Sequence, residues 1–210
     1  AEAIIESGAT PIITEIDQTL NMDYFDLEQK ITKKTKAIIV VHMLGVPARL
    51  KKIKAIANNH NIPLIEDTAW GCGGSYEDIP LGSYGDIGTF SFDFAKTMTT
   101  GEGGMVTFKD KFVYEKAAAW HDHGHENNPL LPRWEDSRSS SGFNFRMNEL
   151  QGAVGLAQLK KLDYVVNAQR ENCNTIKESI KDFPIKNRVV PKNSIETADA
   201  LVFSVESNKI

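Results

Sequence analysis

The stretch that decides the fold is Leu64-Ile65-Glu66-Asp67-Thr68-Ala69-Trp70-Gly71, which passes from apolar residues into two acids and then into small residues. A short apolar run of this kind is typical of a buried strand. Because this strand ends on a carboxylate, Asp67 is expected at the carboxyl edge of a sheet, where open α/β folds bind ligands. The stretch therefore predicts an α/β fold with its chemistry close to Asp67.

Two further strand-like runs follow at residues 88–92 and 104–108, and Lys96 lies between them among aromatic, small and hydroxyl residues. A lysine alone is usually exposed, but this one is expected to be held close to the sheet and partly desolvated. Such an amine is suited to Schiff-base chemistry. The glycine-rich residues 101–104 lead into a strand and not into a helix, so they predict a tight turn and not a phosphate loop.

Strands and helices alternate in the first part of the chain. Alternation of this kind predicts βαβ units and a mostly parallel sheet flanked by helices. The later part is expected to be long helix, broken or continuous, over residues 148–180, with a strand over residues 200–205. The predicted strands of the first part are 10–16, 37–42 and 62–66, and its predicted helices are 1–7, 26–31 and 50–59.

Composition excludes several classes of protein. The 210 residues carry a formal net charge of −4 and contain no basic run, so nothing indicates a nucleic-acid partner. No stretch is apolar over the length that a membrane span needs. The two cysteines, Cys72 and Cys173, are too few for a disulfide framework. We therefore expect a cytoplasmic protein that contacts neither nucleic acid nor membrane.

Several separate motifs occur in one order along the chain. They are Gly8-Ala9-x-Pro11, Ile16-Asp17, Val41-His42-x-x-Gly45-x-Pro47, Glu66-Asp67-x-Ala69, residues 85–92, Lys96, residues 101–104 and 142–147, Gln151, Gly155 and Gln158-Leu159. Together they resemble the DegT-type (DegT/DnrJ/StrS) sugar aminotransferases, a family that uses pyridoxal 5'-phosphate. The resemblance covers roughly residues 1 to 175 and implies the aspartate-aminotransferase type of fold, which is pyridoxal-phosphate fold type I.

The resemblance gives roles to three residues at the sheet edge. Asp67 would lie beside the pyridine nitrogen of the cofactor and favour its protonated form. Lys96 would be the catalytic lysine, which forms the Schiff base and later moves a proton. Ser91 would donate its hydroxyl to the phosphate. The alternatives are a helix cap for Asp67, an exposed surface position for Lys96 and a backbone hydrogen bond for Ser91.

Three residues further along the chain receive roles that depend on a second subunit or on the substrate. By resemblance, Asn144 reaches across a dimer interface to the partner's phosphate, so a homodimer with shared active sites is implied. The alternative for Asn144 is a turn or an N-cap position. Arg146 either binds an anionic group of the substrate or pairs within the interface, and His123 lies in the substrate-side loop of the family.

Trp70 departs from the family pattern, which has glutamine or histidine three positions after the aspartate. The family residue contacts the hydroxyl side of the cofactor, and tryptophan has one hydrogen-bond donor and no acceptor. Trp70 is therefore still expected at the cofactor, with that polar contact changed or lost. It indicates a subgroup with a different sugar pocket.

The segment His121-Asp122-His123-Gly124-His125-Glu126 suggests a metal site at first sight. In an extended strand its three histidines would lie on one side, as ligands of zinc can. Gly124 and Pro129, however, favour a loop. We therefore expect no metal ion here.

The function implied by the resemblance is transfer of an amino group from an amino acid, glutamate in the family, to a keto-sugar. The sugar would be nucleotide-linked and destined for a surface polysaccharide or a deoxyamino sugar. One alternative is a sugar dehydratase, which in the family has histidine in place of the Schiff-base lysine. The other is an inactive or regulatory binding protein on the same scaffold, against which the presence of Lys96 and Asp67 counts.

The chain is expected to be a piece of a longer protein, because it opens without methionine on Ala1-Glu2-Ala3. Residues 1–165 would form part of the cofactor-binding large domain. Residues 166–210 would form a connecting helix and the start of a small C-terminal domain.

Overall fold

The protein is described from a computed structural model, which describes residues 1–205. Its helices are α1 Glu2–Glu6, α2 Tyr24–Lys30, α3 Leu50–Asn59, α4 Lys111–His121, α5 Glu149–Leu159 and α6 Leu162–Ser179. Its strands are β1 Ile38–Val41, β2 Leu64–Asp67, β3 Ser75–Tyr76, β4 Ile79–Pro80, β5 Ile87–Ser91, β6 Gly104–Phe108, β7 Ile185–Asn187, β8 Ser194–Ile195 and β9 Phe203–Val205.

The sheet that carries the site has the strand order β1-β2-β5-β6. Strands β1, β2 and β5 are parallel, and β6 returns antiparallel to β5. Ser91 pairs with Gly104, so residues 92–103 leave and re-enter the sheet at one edge, as the glycine-rich turn predicted. The predicted mostly parallel α/β sheet is confirmed.

The core lies under α3, whose bounds agree with the predicted helix over residues 50–59. Leu50 and Ile53 are fully buried, and they pack with Ile38, Val40 and Leu64 of the sheet. Burial of each such side chain contributes roughly 1.5–3 kcal/mol, so this contact holds the helix against the sheet. The apolar residues of α3 therefore stabilise the helix by packing against the sheet. The N-cap residue of α3 makes no side-chain capping hydrogen bond within the described residues.

Two sequence predictions need correction. The strand predicted over residues 10–16 is wrong: the segment is irregular apart from one bridge between Ile16 and Met22. Ile12 and Ile13 are exposed, since no strand lies beside them within residues 1–205. The strand predicted over residues 200–205 is present only as β9, which pairs with β7.

The long helix predicted over residues 148–180 is broken after Leu159, so that α5 and α6 are separate helices. Helix α6 spans the predicted domain boundary at residue 165, and β8 then pairs with β3 of the first part of the chain. The boundary stays a prediction, and residues 206–210 of the second predicted unit lie outside the described residues. Within the described part of the chain, no helix has the length and hydropathy to cross a membrane.

Candidate active site

The candidate site lies at the carboxyl edge of the parallel strands. Asp67 is the last residue of β2, Ser91 is the last residue of β5, and His42 follows β1 directly. Parallel strands end at the same edge, so the register brings these three residues together. Lys96 follows in the loop that leaves β5 at that edge.

Asp67 is half-buried, and its carboxylate is only partly used. Its Oδ1 accepts a hydrogen bond from the backbone N–H of Ala69 at 3.1 Å, which closes a local turn. The chain after β2 forms turns and not a helix, so the helix-cap alternative for Asp67 is wrong. Within residues 1–205, Oδ2 makes no hydrogen bond, which leaves one carboxylate oxygen for a ligand.

A buried pair of side chains includes Glu66, the residue before Asp67 in β2. His42 and Glu66 are fully buried, with His42 Nε2 at 2.9 Å from Glu66 Oε2. His42 Nδ1 accepts the N–H of Ala48, so the hydrogen-bond network assigns the proton to Nε2. Three backbone N–H groups of the loop before β5 also donate to the Glu66 carboxylate, those of Gly82, Tyr84 and Gly85.

The charge on Glu66 follows from these contacts. Burial by itself would raise the pKa of the Glu66 carboxyl, but the hydrogen bonds from His42, Gly85 and Gly82 outweigh burial and lower the pKa. Glu66 therefore fixes the end of β2 and the loop that leads to β5. His42 is thus a buried, hydrogen-bonded histidine that acts through this pair.

Lys96 is half-buried, which makes the exposed-lysine alternative wrong. Its Nζ lies 3.7 Å from the centroid of the Trp70 ring, an arrangement typical of a cation–π interaction. The loop that carries it is closed by the backbone bond from Thr100 N to Phe92 O at 2.9 Å. The amine is thus held at the sheet edge beside the residue that departs from the family pattern.

Ser91 is half-buried and has a free donor. Its Oγ accepts a long bond of 3.4 Å from the N–H of Asp93, and its own O–H has no acceptor within residues 1–205. The alternative that Ser91 hydrogen-bonds to the backbone thus accounts only for the oxygen of its hydroxyl as an acceptor. The hydroxyl proton remains for a ligand oxygen.

Asn144, Arg146 and His123 lie in a different group. Arg146 Nε lies 3.1 Å from Asn144 Oδ1 and 3.3 Å from Asp122 Oδ1. Asp122 also binds Arg133, whose guanidinium holds the pKa of that carboxyl well below its usual range. In the described part of the chain, no hydrogen bond or ion pair joins this group to the sheet-edge residues.

The alternatives for these residues can now be separated. Asn148, and not Asn144, caps α5, and its reciprocal bonds with Gln151 form a capping box. Arg146 is paired with Asp122 inside one chain. Asn144 and His123 are exposed, and His123 has a left-handed backbone with φ of 57°. Their contacts with a partner or a substrate stay predictions.

The histidine segment has the loop conformation that Gly124 and Pro129 indicated. His121 is the last residue of α4, whereas His125 is buried against Asp136, with Nδ1 to Oδ2 at 3.3 Å. Among residues 1–205, no three ligating side chains come together as a metal site would need.

Residues near the C-terminal end of the chain also reach the site, and sequence reasoning missed them. The fully buried Thr197 donates from Oγ1 to the carbonyl of Trp70 at 3.1 Å, and its N–H binds the carbonyl of Gly45. Asp199 follows two positions later and accepts a bond from Gln169 of α6. No local sequence signal marks these residues, because only the return of the chain after α6 brings them here.

The side chains at the sheet edge fit pyridoxal phosphate. The cofactor needs a carboxylate beside its ring nitrogen, a hydroxyl for its phosphate and an amine for its aldehyde. Asp67 Oδ2, the Ser91 hydroxyl and Lys96 Nζ have these chemical properties and lie at one edge. Asp67, Ser91 and Lys96 are therefore the residues that would hold the cofactor, and a contact of Trp70 with it stays a prediction.

Comparison with known proteins agrees with this arrangement. Residues 1–208 match the sequence profile of the DegT/DnrJ/EryC1/StrS aminotransferase family. The chain is 41% identical over 179 residues to GDP-perosamine synthase from Escherichia coli O157:H7, a match that covers 85% of this chain and 48% of that protein. The chain thus spans about half the length of the curated relatives that it matches.

Solved structures share the fold. Helicobacter pylori PseC, an aminotransferase involved in the biosynthesis of pseudoaminic acid, matches with a TM-score of 0.92 and 28% identity, over 99% of this chain and 56% of that one. E. coli GDP-4-keto-6-deoxy-D-mannose-3-dehydratase, solved with bound hydrated PLP, matches with a TM-score of 0.85 and 28% identity, over 98% and 56%. The prediction of fold type I is confirmed, and the PLP bound in that dehydratase agrees with the predicted cofactor. The chain belongs to the DegT/DnrJ/EryC1/StrS aminotransferase family.

Proposed function

We propose that the full-length protein transfers an amino group from an amino acid, glutamate by the family resemblance, to a nucleotide-linked keto-sugar. The observation that carries this proposal is the presence of Lys96 at the same sheet edge as Asp67 and Ser91. The product would be an amino sugar for a surface polysaccharide or a deoxyamino sugar. The proposal includes a cytoplasmic location, in which the protein would use nucleotide-linked sugars as substrates.

The side chains of this chain would divide the work. Pyridoxal phosphate supplies an electron sink for a carbon that loses its proton. The carboxylate of Asp67 stabilises a protonated ring nitrogen beside it. Ser91 donates its O–H to a phosphate oxygen and so fixes the orientation of the ring. Lys96 Nζ provides the covalent attachment and, when free, accepts and returns a proton at the reacting carbon.

The choice of substrate class is supported by the relatives. GDP-perosamine synthase and PseC carry names from amino-sugar biosynthesis. A dehydratase is among the structural matches, so removal of water from a sugar is a second candidate reaction. Lys96 favours amino transfer, because by resemblance the dehydratases have histidine at this position.

A homodimer with shared active sites is also proposed. Trp120, Phe143 and Phe145 form an aromatic cluster whose ring centroids lie 5.1–5.6 Å apart, and all three remain exposed in the single chain. Leu150 and Leu156 of α5 are exposed as well. Exposed apolar patches of this kind mark interaction sites. A second copy that covers this surface would bring the partner's Asn144 and Arg146 towards the cofactor.

The test is an absorbance spectrum of the full-length protein loaded with pyridoxal phosphate. An absorbance band at about 400 nm is expected for the covalently attached cofactor. Glutamate should shift this band to shorter wavelength, and a keto-sugar should restore it. Lys96→Ala should lack the band. Lys33→Ala, which changes an exposed lysine distant from Lys96 in the sequence, should keep it.

Two outcomes would contradict the proposal. If the wild-type protein binds no cofactor, or if its band ignores every amino donor, the scaffold serves as a binding protein. If the amino donor shifts the band but a keto-sugar loses water instead of gaining nitrogen, the reaction is dehydration. Mass spectrometry of the sugar product separates amino transfer from loss of water.

A further inference from the structure

One side chain lies against the Lys96 amine without a role in the mechanism above. The Trp70 ring lies under Nζ, 3.7 Å from the ammonium to the ring centroid. An aromatic face stabilises a positively charged amine.

The position of Trp70 is fixed from the far end of the chain. Thr197 is fully buried and binds the Trp70 carbonyl through Oγ1, while its own N–H binds the carbonyl of Gly45. Gly45 has φ of +76°, and a Cβ there would lie 1.8 Å from Thr197 Oγ1. The segment that carries Thr197 therefore packs directly against the backbone of Trp70, which limits how far the ring moves.

Asp199 belongs to the same segment and is held from α6. Gln169 Nε2 donates to Asp199 Oδ1 at 3.3 Å. The segment that contacts the Trp70 backbone through Thr197 is therefore also held to α6 through Asp199.

We propose that the Trp70 ring forms a holding site for the free Lys96 amine, which stabilises the forms of the protein in which Lys96 is not bonded to the cofactor. The inference rests on the proposed function, since it takes Lys96 as the lysine that bonds to pyridoxal phosphate. A contact present in one of two states shifts the balance between them by its own free energy. Trp70 is thus a positioning residue that favours release of the lysine.

The two forms of the cofactor provide a direct measurement. Pyridoxal phosphate bonds to Lys96 Nζ through its aldehyde carbon, with loss of the aldehyde oxygen as water. Pyridoxamine phosphate has an amine at that carbon and leaves Lys96 free. The two cofactors share the ring and the phosphate, so direct contacts of Trp70 with either group cancel in the ratio of their dissociation constants.

The experiment is a titration of the full-length protein with each cofactor, followed by absorbance and by tryptophan fluorescence. In Trp70→Leu, the dissociation constant of pyridoxal phosphate relative to that of pyridoxamine phosphate should fall about two- to ten-fold, the range expected for a lost cation–π contact. Trp70→Phe keeps an aromatic face and should restore most of the wild-type ratio.

The controls separate a general loss of structure from the proposed effect. Asp182→Asn changes an exposed carboxylate elsewhere and should leave the ratio unchanged. In a Lys96→Ala background, Trp70→Leu should no longer alter the ratio. An unchanged ratio in Trp70→Leu, or an equal change with and without Lys96, overturns the holding site. If the wild-type protein binds neither cofactor, the proposed function fails as well.

Discussion

Residues 38–92 bury most of their apolar side chains within the chain, whereas residues 111–159 leave most of theirs exposed. Helix α3 shows the first behaviour, with Ile53 fully buried against the sheet. Helix α5 shows the second, with Leu150 80% and Leu156 67% exposed. An apolar helix face thus indicates that some surface covers it, and only the packing tells whether that surface belongs to the same chain.

The difference extends to the site. Asp67, Ser91 and Lys96 belong to the buried sheet and its edge, and the chain positions them by itself. Asn144 and Arg146 belong to the exposed part, where an ion-pair group around Asp122 orders them. In the proposed function, the first group would provide the chemistry within one chain, and the second group would complete it from a second copy.

The largest effect is expected for Glu66→Ala in the full-length protein. The change leaves His42 Nε2 and three backbone N–H groups without their acceptor in the core, which costs on the order of 3–5 kcal/mol of unfolding free energy. Urea unfolding followed by circular dichroism measures this loss. Glu28→Ala, at an exposed position of α2, is the control and should change little; equal stability of the two variants would contradict the role given to Glu66.

The next comparison sets one core residue against one exposed residue. Ile53→Ala should lower the unfolding free energy by about 2–4 kcal/mol at every protein concentration, because the cavity lies inside the chain. Leu156→Ala should cost less than about 0.5 kcal/mol in the dilute, dissociated protein. Its cost should grow with protein concentration if a second copy covers α5. A Leu156→Ala effect as large as that of Ile53→Ala at high dilution would show that the chain itself covers Leu156.

The proposed interface can be broken directly. Leu156→Asp places a charge on the exposed face of α5 and should weaken dimerisation by at least about tenfold, since an unpaired charge is costly to bury. Sedimentation velocity over a range of concentrations gives the dimer constant. Ile12→Asp, at a similarly exposed residue of another segment, serves as control. A dimer that tolerates Leu156→Asp would place the interface elsewhere.

A smaller effect is expected at the start of α5. Asn148→Ala removes the side chain that accepts from Gln151 N at 2.9 Å and leaves only the other half of the capping box, in which Gln151 Oε1 accepts from the backbone N–H of Asn148. Loss of such a cap costs about 1 kcal/mol. Thermal unfolding of Asn148→Ala and Asn148→Ser tests this, since serine also caps helices and should keep most of the stability.

The smallest effect concerns pH. Arg133 holds the folded-state pKa of Asp122 below its value in the unfolded chain. The ionised carboxylate therefore contributes stability that is fully present above about pH 4, the ordinary range of aspartate, and is lost as the pH falls further. The stability difference between wild type and Asp122→Asn should be constant from pH 7 to 5 and shrink only in more acidic solution. A difference that disappears already between pH 7 and 5 would contradict the pairing.

Much of the buried part could be predicted from the sequence. The apolar spacing of residues 50–59 matched α3, and the run that ends on Asp67 matched β2 with its carboxylate at the sheet edge. These features are local, because a strand or helix that packs on one sheet carries its pattern in neighbouring residues. The strand predicted over residues 10–16 is absent, since β-branched residues form a strand only beside another strand.

The sequence alone determined the chemical groups of the candidate site, the order of its motifs and the mostly parallel sheet, because residue type and spacing carry that information. Only the tertiary structure decided which groups meet. It placed the amine of Lys96 on Trp70, joined Glu66 to His42, and brought Thr197 back to the site from beyond α6. Contacts between residues far apart in the chain depend on the path of the backbone in space, and no local pattern encodes that path.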